Sequence, residues 1–267
     1  MRLFTAGALI GCLTLQASIL SIVTLDNATL KVFDDYVSAF ESSHQSGFKS
    51  TGKMWIDVDS KRSAFEDGKS VVMARENRVF STGSIHHFTG AMRVTGAGIE
   101  SIRRVMQDYP NYPKYYRPDV SRASFLIPPD STPGNEHYKA TLQLTQSTMW
   151  MNVVFDAEYD SHYVRLDDHR WFSRSTSVAI RELVDPKDPG RGYYPTGQDH
   201  GLLWRTNTYW FARERNGGLD LVVDSINLSR PIPSAVAWWG TKRTKDAVEK
   251  MLNDTRAAMK LTQVARR

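Results

Sequence analysis

The chain has 267 residues, 41% of them hydrophobic and 24% charged, with 34 basic against 29 acidic side chains and a net charge of +5. These values fit a globular protein with a sizeable core. The basic excess is spread along the chain, not gathered on one face as nucleic-acid binding requires. One cysteine, Cys12, excludes an internal disulfide framework, a cysteine zinc finger and thiol catalysis.

Arg2 is followed by an uncharged, mostly apolar run from Leu3 to Val23. A positive start and an apolar run mark a secretory signal or a membrane anchor, with Ala17 and Ser18 as small residues near a cleavage point. Residues 1–25 are therefore expected to export the chain or tie it to the periplasmic side of a membrane. Asp26-Asn27 then caps an expected helix to about Ser43, whose Leu30, Phe33, Val37 and Phe40 recur at helical spacing beside Tyr36. That stripe is packing surface. Two short strands, Lys53–Asp57 and Ser70–Ala74, are expected around the turn at Asp67-Gly68.

Gly83–Val94 reads as the first strand of a main domain, and Gly96-Ala97-Gly98 breaks it. Ile99–Tyr109 follows as a short helix with Ile102, Val105 and Met106 inward. Pro113 and Pro118 interrupt a tyrosine-rich second helix. Strands are then expected at Val120–Ile127, Tyr138–Gln146, Thr148–Phe155, Asp160–Asp167 and Trp171–Leu183. A proline- and glycine-rich loop, Asp185–Gln198, leads to a long hairpin, Gly201–Glu214 and Leu219–Leu228, folded at Asn216-Gly217-Gly218. Pro231 and Pro233 stop it. A last helix begins near Thr244, with an apolar stripe of Val248, Met251, Leu252, Thr255 and Met259 that must lie against the sheet. Lys242, Arg243, Lys245 and Lys250 form its solvated face. Runs of strands with helices at the ends predict an α+β chain.

The hairpin carries the polar residues of most interest. The strand period of two puts Arg205, Asn207 and Tyr209 on one face, with Asp224 on the facing strand. A structural Arg205–Asp224 ion pair, or exposure on the outer face of the sheet, is the plain reading of this set. Adjacent His86 and His87 point to opposite faces of a strand. His44, His137, His162, His169 and His200 show no His-x-His or His-Glu-x-x-His spacing, so no metal is expected. Gly-x-Ser-x-Gly, a phosphate loop and a full dinucleotide fingerprint are all missing from the sequence. No cofactor and no catalytic set are expected.

Several pieces carry a resemblance: residues 83–90 (Gly-Ser-Ile-His-His-Phe-Thr-Gly), Gln107-Asp108-Tyr109, residues 116–120 (Tyr-Arg-Pro-Asp-Val), residues 201–210 (Gly-Leu-Leu-Trp-Arg-Thr-Asn-Thr-Tyr-Trp) and residues 226–233 (Ile-Asn-Leu-Ser-Arg-Pro-Ile-Pro). With the element order, they resemble the helix-grip superfamily of START-type lipid-transfer domains, polyketide cyclases and birch-pollen allergens, and more closely a group of uncharacterised bacterial proteins within it. The resemblance runs from about Val79 to the C-terminus. It implies a curved antiparallel sheet wrapped around a long C-terminal helix, residues 79–264, with residues 26–78 as an added helix and small β extension. It also implies a cavity between sheet and helix for a lipid or other apolar small molecule, with Arg174, Trp204, Arg205, Asn207, Tyr209 and Asp224 as the candidate ligand-binding residues and Arg205 with Asp224 as a candidate pair inside it. Two alternatives stand beside such a binder. One is a cyclase- or dehydratase-like enzyme using Arg205, Tyr209 or His200. The other is an interaction module whose cavity is filled by Trp204, Trp210, Trp238 and Trp239.

Overall fold

The computed structural model describes residues 21–127, 135–147, 151–232 and 234–264. The apolar leader up to residue 20, with Ala17 and Ser18, lies outside them, as do the side chains of His44, Trp238 and Trp239. The described end of the leader belongs to the fold. Strand β1, Val23–Thr24, pairs antiparallel with β8, Gln198–Asp199, and Arg230 holds the Ser21 carbonyl at 2.9 Å.

Helix α1, Asn27–Phe40, is capped as its sequence predicts: the Asp26 carboxylate accepts from Thr29 N–H at 2.6 Å. It buries Phe33, Val37 and Phe40. It then passes through a π-turn at Glu41–Gln45 into α2, Ser46–Thr51. The strand expected at Lys53–Asp57 is instead a 3₁₀ turn at Trp55–Asp57, followed by the short helix α3, Arg62–Glu66. The Asp57 carboxylate takes the Met54 N–H at 2.9 Å, a local bond that competes with strand pairing.

Eight strands form one antiparallel sheet in the order β2-β3-β10-β9-β7-β6-β5-β4. They are β2 Val71–Phe80, β3 Gly83–Thr95, β4 Val120–Phe125, β5 Asn135–Ser147, β6 Asn152–Arg165, β7 Arg170–Glu182, β9 Arg205–Arg215 and β10 Gly218–Ser229. Strand β2 crosses the boundary expected near residue 79, because its register with β3 is continuous from Val71 to Phe80 apart from one bulge. The two strands expected at Thr148–Phe155 and Asp160–Asp167 are one, β6. Its polar residues Asp156, Glu158 and Asp160 alternate outward, so they interrupt the apolar reading without interrupting the strand. Residues 148–150 lie outside the described residues. The hairpin turns at Asn216 and Gly217, with φ of 48° and 69°, the paired positive values a tight hairpin turn requires.

Helix α4, Ile99–Gln107, buries Ile102, Val105 and Met106, and the broken α5 spans Tyr112–Tyr115. The closing helix α6 runs from Ser234 to Val264, about ten residues longer at its start than the stripe alone suggests. Val248, Leu252, Thr255 and Met259 are buried against the sheet. Its approach to β3 is close: a Cβ at Gly90 would sit 2.7 Å from Leu252 Cδ1, so a side chain there would have to push the Leu252 end aside.

Each face of the sheet carries a packed layer. One core joins α6, α4 and α5 to Phe88, Met92, Tyr163, Trp171, Trp210, Ala212, Leu221 and Val223. A second core, on the opposite face, joins α1–α3 to Ile85, Ala91, Phe172, Tyr209, Phe211, Val222, Ile226 and Leu228. The N-terminal segment is thus a second layer, packed on the outer face.

Candidate functional site

Trp210, Trp171, Tyr109, Tyr112, Tyr116 and Tyr163 fill one end of the space between the sheet and α6. The other end stays open as a cavity of about 560 Å³. Its walls include Leu144, Phe155, Tyr159, Leu202, Leu203, Val248 and Met251, and its floor is polar: Thr206 and Thr208 from β9, Ser225, Asn227 and Ser229 from β10, and His86 from β3. Asp119, Arg230, Arg243, Asp246 and Lys250 also line it. The size suits a small organic ligand, and apolar walls with a few placed polar groups are what such sites use.

Strand geometry fixes the floor. With Trp210 and Ala212 turned toward α6, the period of two turns Thr206 and Thr208 the same way. The Thr206 N–H is satisfied by Ser177 Oγ at 2.9 Å, and Asn227 Nδ2 reaches Ser225 Oγ at 3.1 Å. Ser229 gives its proton to the Arg230 carbonyl at 2.9 Å and sits 3.1 Å from His86 Nε2, so the imidazole N–H donates to the Ser229 oxygen. Burial lowers the His86 pKa to about 4 and keeps the ring neutral. Its described partner is a hydroxyl, not an acid; the charged pair on the cavity lining is Lys250 with Asp119, at 2.9 Å.

The structure gathers most of the sequence-derived candidates on the other face. Arg174 Nε and Tyr209 Oη both donate to Glu41 Oε1, each at 2.7 Å, and Asn207 Nδ2 lies 3.3 Å from Tyr209 Oη. Glu41 comes from the turn after α1, so this cluster fastens the N-terminal layer to the sheet. Tyr209 is pushed well above its ordinary pKa, first by burial and then by Glu41. Arg205 and Asp224 do not pair. Arg205 Nη1 donates to the Trp204 carbonyl at 2.8 Å, and Asp224 takes His87 Nε2 at 2.9 Å with Arg75 Nε at 3.5 Å. His87 Nδ1 in turn meets Tyr36 Oη at 2.8 Å, beside a shallower hollow of about 410 Å³ lined by Tyr36, Phe40, Met73, Arg75 and His87. Burial, aided by Glu76, raises Tyr36 to about 12. Trp204 packs in the outer core and donates from Nε1 to Asp199 Oδ1 at 3.0 Å. His200 pairs with Glu182 through Nδ1, buried away from the cavity lining.

The cavity floor therefore lies one residue out of phase with the sequence-derived set. Both faces of β9 and β10 carry apolar residues, so hydrophobic alternation does not show which side faces α6. The usable signal was the run of small hydroxyl and amide side chains at 206, 208, 225, 227 and 229. The aromatic and charged residues at the alternate positions meet partners on the outer face, Glu41 for Arg174 and Tyr209 and His87 for Asp224.

No family model and no curated protein matches the chain. Among solved structures, the chain is similar to a STAR-related lipid transfer protein from Xanthomonas axonopodis at 16% identity and a TM-score of 0.47, covering 71% of this chain and 98% of that one. It is similar to human STARD10 at 15% identity and a TM-score of 0.45, covering 78% and 80%. A START superfamily protein from Mycobacterium smegmatis gives 12% identity and 0.42, covering 68% and 99%. The eight-stranded antiparallel order and the closing helix α6 define the fold directly. The fold is helix-grip. Within it, the space between sheet and α6 is the candidate site.

Proposed function

We propose that the protein binds a lipid or other apolar small molecule bearing hydrogen-bonding groups in the cavity between the sheet and α6. The observation that carries this reading is the composition of that cavity: about 560 Å³, apolar on its walls and lined below by Thr206, Thr208, Ser225, Asn227, Ser229 and His86. Apolar ligand surface leaving water supplies the affinity, at about 25 cal/mol per Å². The hydroxyl floor gives direction, since buried polar groups that meet a hydrogen-bonding partner hold one pose and reject ligands that leave them unpaired. A lipid with polar ring or chain substituents suits this floor better than a bare hydrocarbon.

A dye-displacement titration tests the reading. The wild-type protein is loaded with an anilinonaphthalene sulfonate dye and titrated with a fatty acid, a sterol and a lysophospholipid. At least one of these should release the dye. Thr208→Trp, which places a bulky ring on the cavity floor while keeping a residue suited to a strand, should weaken binding by about tenfold or more, the equivalent of 1.4 kcal/mol. Equal dye and lipid affinity in the variant would place binding elsewhere.

Export is a second part of the proposal and rests on the apolar leader alone. Cleavage near Ala17-Ser18 would spare Val23–Thr24, which form β1. Fractionation of the tagged full chain tests it: recovery of an uncleaved protein in the cytosol would count against export.

A further inference from the structure

We propose that His137, Asp160 and His162 bind a divalent transition-metal ion of the zinc class on the outer face of the sheet, away from the cavity. His137 lies on β5 and His162 directly opposite it on β6, while Asp160 is two residues before His162 on the same face. Their ligand atoms all lie within 4.8 Å of one another. His137 Nε2 and His162 Nε2 each stand 3.0 Å from the same oxygen, Asp160 Oδ1. Around a tetrahedral zinc ion with bonds of about 2.0–2.1 Å, neighbouring ligand atoms are about 3.3 Å apart, so the two nitrogen–oxygen spacings are within a few tenths of an ångström of those in a closed site.

The donor set selects the ion. Two imidazoles and one carboxylate suit zinc and its first-row neighbours, whereas magnesium and calcium prefer all-oxygen sets. Three protein ligands leave one position for water. Side-chain exposures of 32%, 25% and 45% for His137, Asp160 and His162 leave the trio reachable from solvent. The imidazole rings are stacked at 4.3 Å with planes 7° apart. Binding therefore requires each ring to tilt until both Nε2 lone pairs converge, a motion their exposure permits. Two flanking cations bear on the site. Lys139 Nζ lies 3.9 Å from the second Asp160 oxygen, leaving Oδ1 to the rings, and Arg174, cross-strand from His162, has its charge met by Glu41 at 2.7 Å. A bound ion would pin β5 to β6 on the half of the outer face that the α1 layer leaves uncovered.

Sequence spacing does not show this trio, because the metal pattern is assembled by cross-strand register and not by a local His-x-His repeat. The test uses the full chain, stripped of metal with a chelator. Zinc chloride should bind with one ion per chain and raise the melting temperature, while magnesium chloride at the same concentration should not. His137→Ala, His162→Ala and Asp160→Asn should each weaken zinc binding about tenfold or more, the scale on which even outer-shell partners matter. His169→Ala, an exposed histidine outside the trio, should bind as the wild type does. Cobalt(II) gives a readout that needs no variant: intense visible d–d absorption indicates a four-coordinate site built from these ligands. A weak, water-like cobalt spectrum, or zinc affinity unchanged in the three variants, would overturn the proposal.

Discussion

The two faces of the sheet solve different problems with similar raw material. Toward α6, β9 and β10 present small hydroxyl and amide groups beside a cavity of about 560 Å³. Toward α1–α3 the same strands present Asn207, Tyr209, Arg213, Asp220 and Asp224, each tied to a partner. The outer face is fastened by charge and aromatic packing, and the inner face keeps room. Polar residues on a strand are thus no guide to a binding face by themselves. What separates the two faces is whether a partner element arrives with the complementary group, and Glu41, Asp57, Glu66 and Tyr36 all arrive from the N-terminal layer.

The strongest way to break the comparison is to remove the centre of the outer network. Asp220 is fully buried and meets Arg93, Arg213 and Arg215, whose other contacts include Asp57 and Glu66. Removing one partner of a buried ionic cluster leaves uncompensated charge and costs about 3–5 kcal/mol. Asp220→Leu should lower stability by that amount in urea unfolding, yet leave dye affinity in the cavity unchanged if enough protein folds. Phe40→Ala should cost a similar 3–5 kcal/mol. Its ring is 4.9 Å from the His87 ring and 5.1 Å from Tyr209. A parallel loss of dye affinity in either variant would mean that the faces are coupled.

Acid should act on the inner face next. His86 has a pKa of about 4 against an ordinary 6.5. The unfolded chain therefore takes up a proton first, and stability is lost as pH falls from about 6.5 toward 4. The gap corresponds to about 3 kcal/mol. Asp199 works in the opposite sense, since burial raises its pKa and its contribution improves as pH falls. His86→Gln should flatten the acid loss by about 3 kcal/mol, measured as unfolding free energy at pH 7 and pH 4. An unaltered pH profile would place another group in control. The smallest expected effect is Tyr36→Phe, which removes one hydroxyl from His87 and should cost about 0.5–1.5 kcal/mol in stability.

The elements were more legible than their sides. The stripe Phe33, Val37, Phe40 and the stripe Val248, Leu252, Met259 each predict a helix with one buried face, and both are buried as predicted. Asn216-Gly217 predicts the hairpin turn because positive φ at both positions suits those residues. The face assignment was hidden for the opposite reason. Tyr209 and Phe211 look as much like core as Trp210 and Ala212, and both pairs are core, in different layers. The grouping of His137 with His162 depends on a register between β5 and β6 that no local spacing encodes. The missing strand at Lys53–Asp57 reflects local capping by Asp57, which a strand-propensity reading does not include.

The central claim is that the hollow beneath α6 takes up an apolar molecule. Native mass spectrometry of the protein purified from its own host, beside Thr208→Trp prepared the same way, tests it most directly. The wild type should carry an added apolar mass that lipid extraction releases, and the variant should lose it. Bare protein in both preparations, with no thermal protection of the wild type by any lipid in a panel, would contradict the claim.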